Sequence, residues 1–139
     1  VTNVLTQSLN DPAAMDDEHL AIFRRNATEP GALTAMINYY RALIRGGGAA
    51  RQRALGYPMI QTPTLMLWGD ADIALGIETT HGTEDYVADL TFRVLPRISH
   101  WVQQDAPREV NAMIEAFLRG GAVPQMRWVS QLHTDGHPV

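Results

Sequence analysis

Asp72 and His100 are the two residues whose types and positions could do chemistry together. Asp72 closes Gly69-Asp70-Ala71-Asp72, directly after the apolar run Thr64-Leu65-Met66-Leu67-Trp68. His100 lies in Pro96-Arg97-Ile98-Ser99-His100-Trp101, directly after the strand-like segment Thr91-Phe92-Arg93-Val94-Leu95. A carboxylate held against one imidazole nitrogen sets the ring's tautomer and leaves the other nitrogen facing a reaction centre. That is the orienting half of a nucleophile–His–acid triad. Taken as a bare pair, the two residues have plainer readings too: a solvated or capping loop acid, and a structural loop histidine.

Pairing them requires two loops that leave the same edge of a sheet. Thr64 to Trp68 is a short, continuously apolar run between Pro63 and Gly69, which predicts a strand buried on both faces. Residues 77–88 are weakly helical, Thr91 to Leu95 alternates like a strand, and Pro107 to Leu118 sets Val110, Met113, Ile114, Phe117 and Leu118 on one helical face. Strand, helix, strand, helix implies a parallel sheet, and in such sheets ligands gather beyond the carboxyl ends of the strands. Two strands are too few to cover a core, so these residues are expected to complete a larger sheet.

Upstream, Asp16-Asp17-Glu18 followed by Leu20, Phe23 and Ala27 predicts a short amphipathic helix with an acidic first turn. Thr28-Glu29-Pro30-Gly31 offers an N-cap with proline near the first turn. Leu33, Met36, Ile37, Tyr40 and Ile44 then recur at helical steps to Arg45, where Gly46-Gly47-Gly48 stops the helix. After Gly120 no periodicity persists, which predicts a surface extension anchored by Trp128.

Composition narrows the function classes. In 139 residues, 45% are hydrophobic and 19% charged, a globular balance sized for one domain. Eleven basic against fifteen acidic residues give a net charge of -4, without the basic footprint of a nucleic-acid binder. No cysteine is present, which removes disulfides, thiolate metal sites and cysteine nucleophiles and suits a reducing compartment. No apolar run approaches the roughly 20 residues needed to span a bilayer, so the expectation is a soluble, cytoplasmic protein without a membrane partner. His133-Thr134-Asp135-Gly136-His137 could bind a metal, but Gly136 and Pro138 argue for a flexible tail, and no metal or other cofactor is expected. Arg24-Arg25 and Arg51-Gln52-Arg53 read as solvated helix faces.

The segment Thr62-Pro63-Thr64-Leu65-Met66-Leu67-Trp68-Gly69-Asp70-Ala71-Asp72, followed by Ile98-Ser99-His100-Trp101-Val102-Gln103-Gln104-Asp105-Ala106-Pro107-Arg108-Glu109-Val110, resembles the final third of α/β-hydrolases of the epoxide hydrolase type. Gly31-Ala32-Leu33-Thr34-Ala35-Met36-Ile37-Asn38-Tyr39-Tyr40-Arg41 is similar to the last cap helix of that family. The resemblance implies the C-terminal portion of an α/β-hydrolase fold: a helical cap segment over 1–57, core over 58–120 and a C-terminal extension over 121–139, with the sheet incomplete in this chain. It implies His100 as the base that activates water, Asp72 as its orienting acid and Asp70 as a turn residue. Tyr40 matches the cap tyrosine that donates to the leaving oxygen when an aspartate nucleophile opens the epoxide. Periodicity alone favours Tyr40 as a core aromatic, since it shares a stripe with Leu33, Ile37 and Ile44. Tyr39, about 100 degrees round the helix, supports packing and, with Trp101, is a candidate substrate contact. Trp101 either lines an apolar pocket or fills the core.

The nucleophile is missing. Neither Ser8, Ser99 nor Ser130 lies in Gly-x-Ser-x-Gly, and no aspartate ahead of Asp72 sits on a strand-to-helix elbow. His81-Gly82 superficially resembles an oxyanion loop, but Thr83-Glu84 follow and the position falls between acid and base. The expectation is therefore a hydrolase of small apolar epoxides whose N-terminal half is a missing segment or a second chain, consistent with a first residue of Val. A haloalkane or haloalkanoate dehalogenase, a serine esterase, and an inactive fragment or subunit needing a partner are the alternatives.

Overall fold

Asp16 starts the first helix by accepting the backbone N–H of His19 on its Oδ1 at 2.9 Å, which satisfies one of the orphan donors of the opening turn. The computed structural model describes Leu9 and residues 15–127 of the chain. Trp128 and the His133 to His137 cluster fall outside the described residues. Helix α1 spans Asp17–Thr28, α2 Ala32–Ile44 and α3 Gly48–Ala54. Strand β1 spans Thr64–Gly69 and β2 Leu90–Leu95, followed by α4 at Val102–Asp105 and α5 at Pro107–Leu118.

Several boundaries differ from the sequence expectation for identifiable reasons. Thr28 does not cap α2; it ends α1, where its Oγ1 donates to the Arg25 carbonyl at 2.8 Å. The cap position of α2 is Gly31, left-handed at φ 83°, a conformation glycine adopts without steric cost. The glycine triplet ends α2 and also begins α3, since Gly47 turns left-handed at φ 73° and Gly48 reopens a helix. Between the strands the weak helical pattern becomes two 3₁₀ turns, Ile77–Thr80 and Thr83–Asp85.

β1 and β2 pair in parallel, with Thr64 opposite Leu90 and Gly69 opposite Leu95, so both strands deliver their carboxyl ends to one edge. The sheet has only these two strands among the described residues. β1 is accordingly half-buried along most of its length rather than covered on both faces. Helices α4 and α5 lie against β1. Leu95, fully buried, joins Ile98, Ala106 and Val110 in the main core, with Leu67, Val102 and Met126 packed around them. Burying a leucine this completely contributes about 1.5–3 kcal/mol. On α5 only Val110 and Met113 are buried; Ile114 and Leu118 face outward, so the expected five-residue face is narrower.

No residue of α2 is buried, and Leu33, Met36, Ile37, Tyr40 and Ile44 form an exposed apolar stripe. Over 121–127 the chain is irregular but fastened. Val123 is buried, and the Arg93 guanidinium donates to its carbonyl at 2.9 Å from Nη2 and 3.2 Å from Nε, and to the Pro124 carbonyl at 3.2 Å. Among the described residues no helix is long and apolar enough to cross a membrane.

Candidate active site

The loops after β1 and β2 are locked together before any side chain is considered. The Asp70 N–H donates to the Leu95 carbonyl at 3.1 Å and the Ala71 N–H to the Ile98 carbonyl at 3.0 Å. Gly69 is the point of closest approach: a Cβ there would stand 2.2 Å from the Ile98 oxygen and 2.4 Å from the Ser99 oxygen. Only a residue without a side chain allows this contact. Asp70, expected to be a plain turn residue, accepts the Arg97 N–H on its Oδ1. That bond clamps Arg97 in a left-handed conformation at φ 61°, uncommon for a non-glycine residue.

These tethers bring Asp72 and His100 together. His100 Nδ1 lies 2.8 Å from Asp72 Oδ2. The other carboxylate oxygen, Oδ1, accepts the N–H groups of Ala74 at 2.8 Å and Leu75 at 2.9 Å. The Leu75 carbonyl in turn accepts the Trp68 indole N–H at 3.2 Å, tying the acid loop back to the strand. Asp72 has a side-chain exposure of 5%, His100 one of 38%. A buried acid against a half-open imidazole is the arrangement in which one ring nitrogen is fixed and the other can meet a ligand. Burial pushes the Asp72 carboxyl up, but the bonds from Leu75, His100 and Ala74 outweigh it and hold the acid below its ordinary value. Asp72 is thus the charged partner at neutral pH.

A second His–Asp contact, His19 Nδ1 to Asp16 Oδ1 at 2.7 Å, differs in both respects that matter. Both side chains are well exposed and the acid is already occupied by the helix cap. The backbone bond from His19 is the main reason the Asp16 carboxyl is held low. It is a capping arrangement.

Trp101 meets the His100 ring edge-on at 5.4 Å and packs against the small cluster of Leu9, Met15 and Leu20. Half-buried, it bridges that cluster and the His100 ring. Tyr39 and Tyr40 meet edge-on at 5.6 Å on α2, and Tyr40 is 65% exposed. Tyr40 makes no hydrogen bond to His100 or Asp72. Among the described residues nothing covers the Tyr40 ring, which lies on the same exposed face of α2 as Leu33, Ile37 and Ile44. Among the described residues no cluster of three or more His, Cys, Asp or Glu residues could hold a metal.

The sequence reading overlooked Asp105 and Ser99. Asp105 Oδ2 accepts the Ser99 N–H at 2.8 Å, and Ser99 Oγ accepts the Trp101 N–H at 3.1 Å. Their role depends on how a loop folds back on α4, for which residue spacing carries no signal.

No family model matches the chain. Comparison with known proteins finds mouse "Epoxide hydrolase 4", 39% identical over 93 residues, which are 66% of this chain and 24% of that protein. "Epoxide hydrolase 3" of Xenopus tropicalis is 35% identical over 111 residues, 79% of this chain and 29% of that one. The "AB hydrolase superfamily protein YfhM" of Bacillus subtilis is 32% identical over 109 residues, 78% of this chain and 36% of that one. The chain thus spans about a quarter to a third of the length of these relatives. Among solved structures, Cfl2 from Burkholderia cenocepacia superposes on 84% of this chain and 38% of its own, with a TM-score of 0.71 at 17% identity. The described residues form part of an α/β-hydrolase fold, and the chain is homologous to epoxide hydrolases.

Proposed function

We propose that this chain, a partial α/β-hydrolase fold related to epoxide hydrolases, supplies the acid–base half of an enzyme that opens epoxides to diols through an alkyl-enzyme ester. The observation that carries the reading is the His100–Asp72 bond at the carboxyl edge of the parallel strands. The nucleophile is an aspartate outside this chain, in the remaining portion of the fold. Its carboxylate oxygen attacks an epoxide carbon, the carbon–oxygen bond of the ring breaks, and the developing alkoxide takes the phenolic proton of Tyr40. Water then loses a proton to His100 and attacks the ester carbonyl, which frees the nucleophile and releases the diol. The proton on His100 returns to the tyrosinate through solvent, so epoxide plus water gives diol with nothing left over.

Each residue's chemistry suits its part. Asp72, charged and buried, orients the imidazole and stabilises the imidazolium that forms. Tyr40 donates from a cap segment over 1–57 to a substrate held above the core of 58–120, with Tyr39 and Trp101 as apolar neighbours and 121–139 as a C-terminal extension. The exposed stripe of α2 and the unpaired edge of β1 are the surfaces that the rest of the fold covers. No cofactor takes part.

Trapping the ester tests this directly in the complete hydrolase containing this chain. In His100→Gln, styrene oxide should still alkylate the protein, and the adduct should persist because water activation is lost, slowing turnover about 100- to 10,000-fold. Rapid turnover of that variant would remove His100 from its role. Turnover of haloalkanes with no adduct from epoxides would point to a dehalogenase.

A further inference from the structure

The residue that follows the base loop explains how His100 keeps its aim. We propose that Asp105 is a positioning residue for His100, fastening the loop through the Ser99 backbone amide, while Ser99 in turn holds the amide of Trp101. Asp105 Oδ2 takes the Ser99 N–H at 2.8 Å, and Ser99, itself only 3% exposed, takes the Trp101 N–H on its Oγ at 3.1 Å. The carbonyl of Trp101 accepts the N–H groups of Gln104 and Asp105, each at 2.9 Å. The backbone on both sides of His100 is therefore tied, the Ser99 amide and the Trp101 carbonyl directly to α4.

The opposite side of the same loop is pressed against Gly69, where the Ile98 and Ser99 carbonyls leave no room for a methyl group. The Ser99 peptide is thus gripped between β1 and the Asp105 carboxylate, which fixes the backbone from which the His100 ring projects. The second Asp105 oxygen, Oδ1, is buried with no hydrogen-bond partner. An unpartnered buried acceptor costs about 1–3 kcal/mol.

This assignment rests on the hydrolytic role of His100, so its test separates the two. In the complete hydrolase, Asp105→Ala should slow hydrolysis of the styrene oxide ester about 10- to 100-fold, because the base is displaced, while the rate of ester formation stays near that of the parent. Asp105→Asn keeps an acceptor for the Ser99 N–H and should recover most of the rate. Should Asp105→Ala fail to fold, Ser99→Ala, which removes only the acceptor for Trp101, should slow the same step. Parent-like ester hydrolysis in both alanine variants overturns the proposal, as does equal slowing of ester formation and hydrolysis, the mark of general structural damage. If the parent forms no ester with styrene oxide, the hydrolase reading fails on its own, and amide exchange decides the tether. Ser99 and Trp101 should then exchange at least about tenfold faster in Asp105→Ala and return to parent rates in Asp105→Asn; unchanged exchange overturns it.

Discussion

Gly69 and Ile98 approach so closely that a methyl group on the glycine would lie 2.2 Å from the Ile98 carbonyl oxygen. The contact joins the last residue of β1 to the loop after β2, and it sets the separation between the acid and the histidine. Gly69→Ala should therefore cost about 1–3 kcal/mol in stability, as overpacked sites do. It should also lengthen the His100–Asp72 bond, read as loss of the downfield Nδ1 proton resonance. A variant with parent stability and an intact resonance would show that the loops can move apart freely.

The charge on Asp72 makes stability depend on acid. Its carboxyl is held below the ordinary value near 3.8, so the folded state binds a proton less readily than the unfolded chain. The stability it contributes is fully present above that ordinary value and is lost as pH falls through the lower folded one. Urea denaturation between pH 5 and pH 2 should show a decline in the parent to which Asp72→Asn contributes nothing, so the gap between the two proteins narrows toward the acid end. A gap that stays constant would mean that the carboxylate gains nothing from its three hydrogen bonds.

Tyr40 separates the two halves of the proposed reaction. Removing a donor to developing oxygen charge costs on the order of 100-fold. Tyr40→Phe should accordingly slow ester formation by about that factor and leave ester hydrolysis near the parent rate. Single-turnover mass spectrometry distinguishes the steps, and an unchanged alkylation rate would return Tyr40 to a packing role.

Arg93 predicts a purely structural effect. Its guanidinium reaches across to the Val123 and Pro124 carbonyls, so Arg93→Met should release the segment after Gly121 to protease cleavage while leaving the His100–Asp72 bond in place. Equal protection in both proteins would assign the anchoring to buried Val123 alone.

What could be read from the residues was what depends on order and periodicity. The apolar run to Trp68, the alternation to Leu95 and the polar loops behind them placed Asp72 and His100 at one edge, and the parallel register brings them within 2.8 Å. Local breakers misled where they serve two elements at once. The glycines at 46–48 both close α2 and open α3, and Thr28 closes α1 while Gly31 takes the cap expected of it. The two-sided burial expected of β1 fails because burial belongs to the partners of a strand, and among the described residues β2 alone lies beside it. Asp70, Ser99 and Asp105 were illegible for a different reason. Each acts on a backbone amide brought near by loop geometry, and no spacing rule encodes that.

The hydrogen bonds to the Asp72 carboxylate come from Ala74, Leu75 and His100, and the Ser99 amide beside the histidine is held by Asp105. The geometry of the acid–histidine pair is therefore set within one short stretch of chain. In the proposed enzyme, the part that would handle protons is thus assembled apart from the nucleophile and the cap.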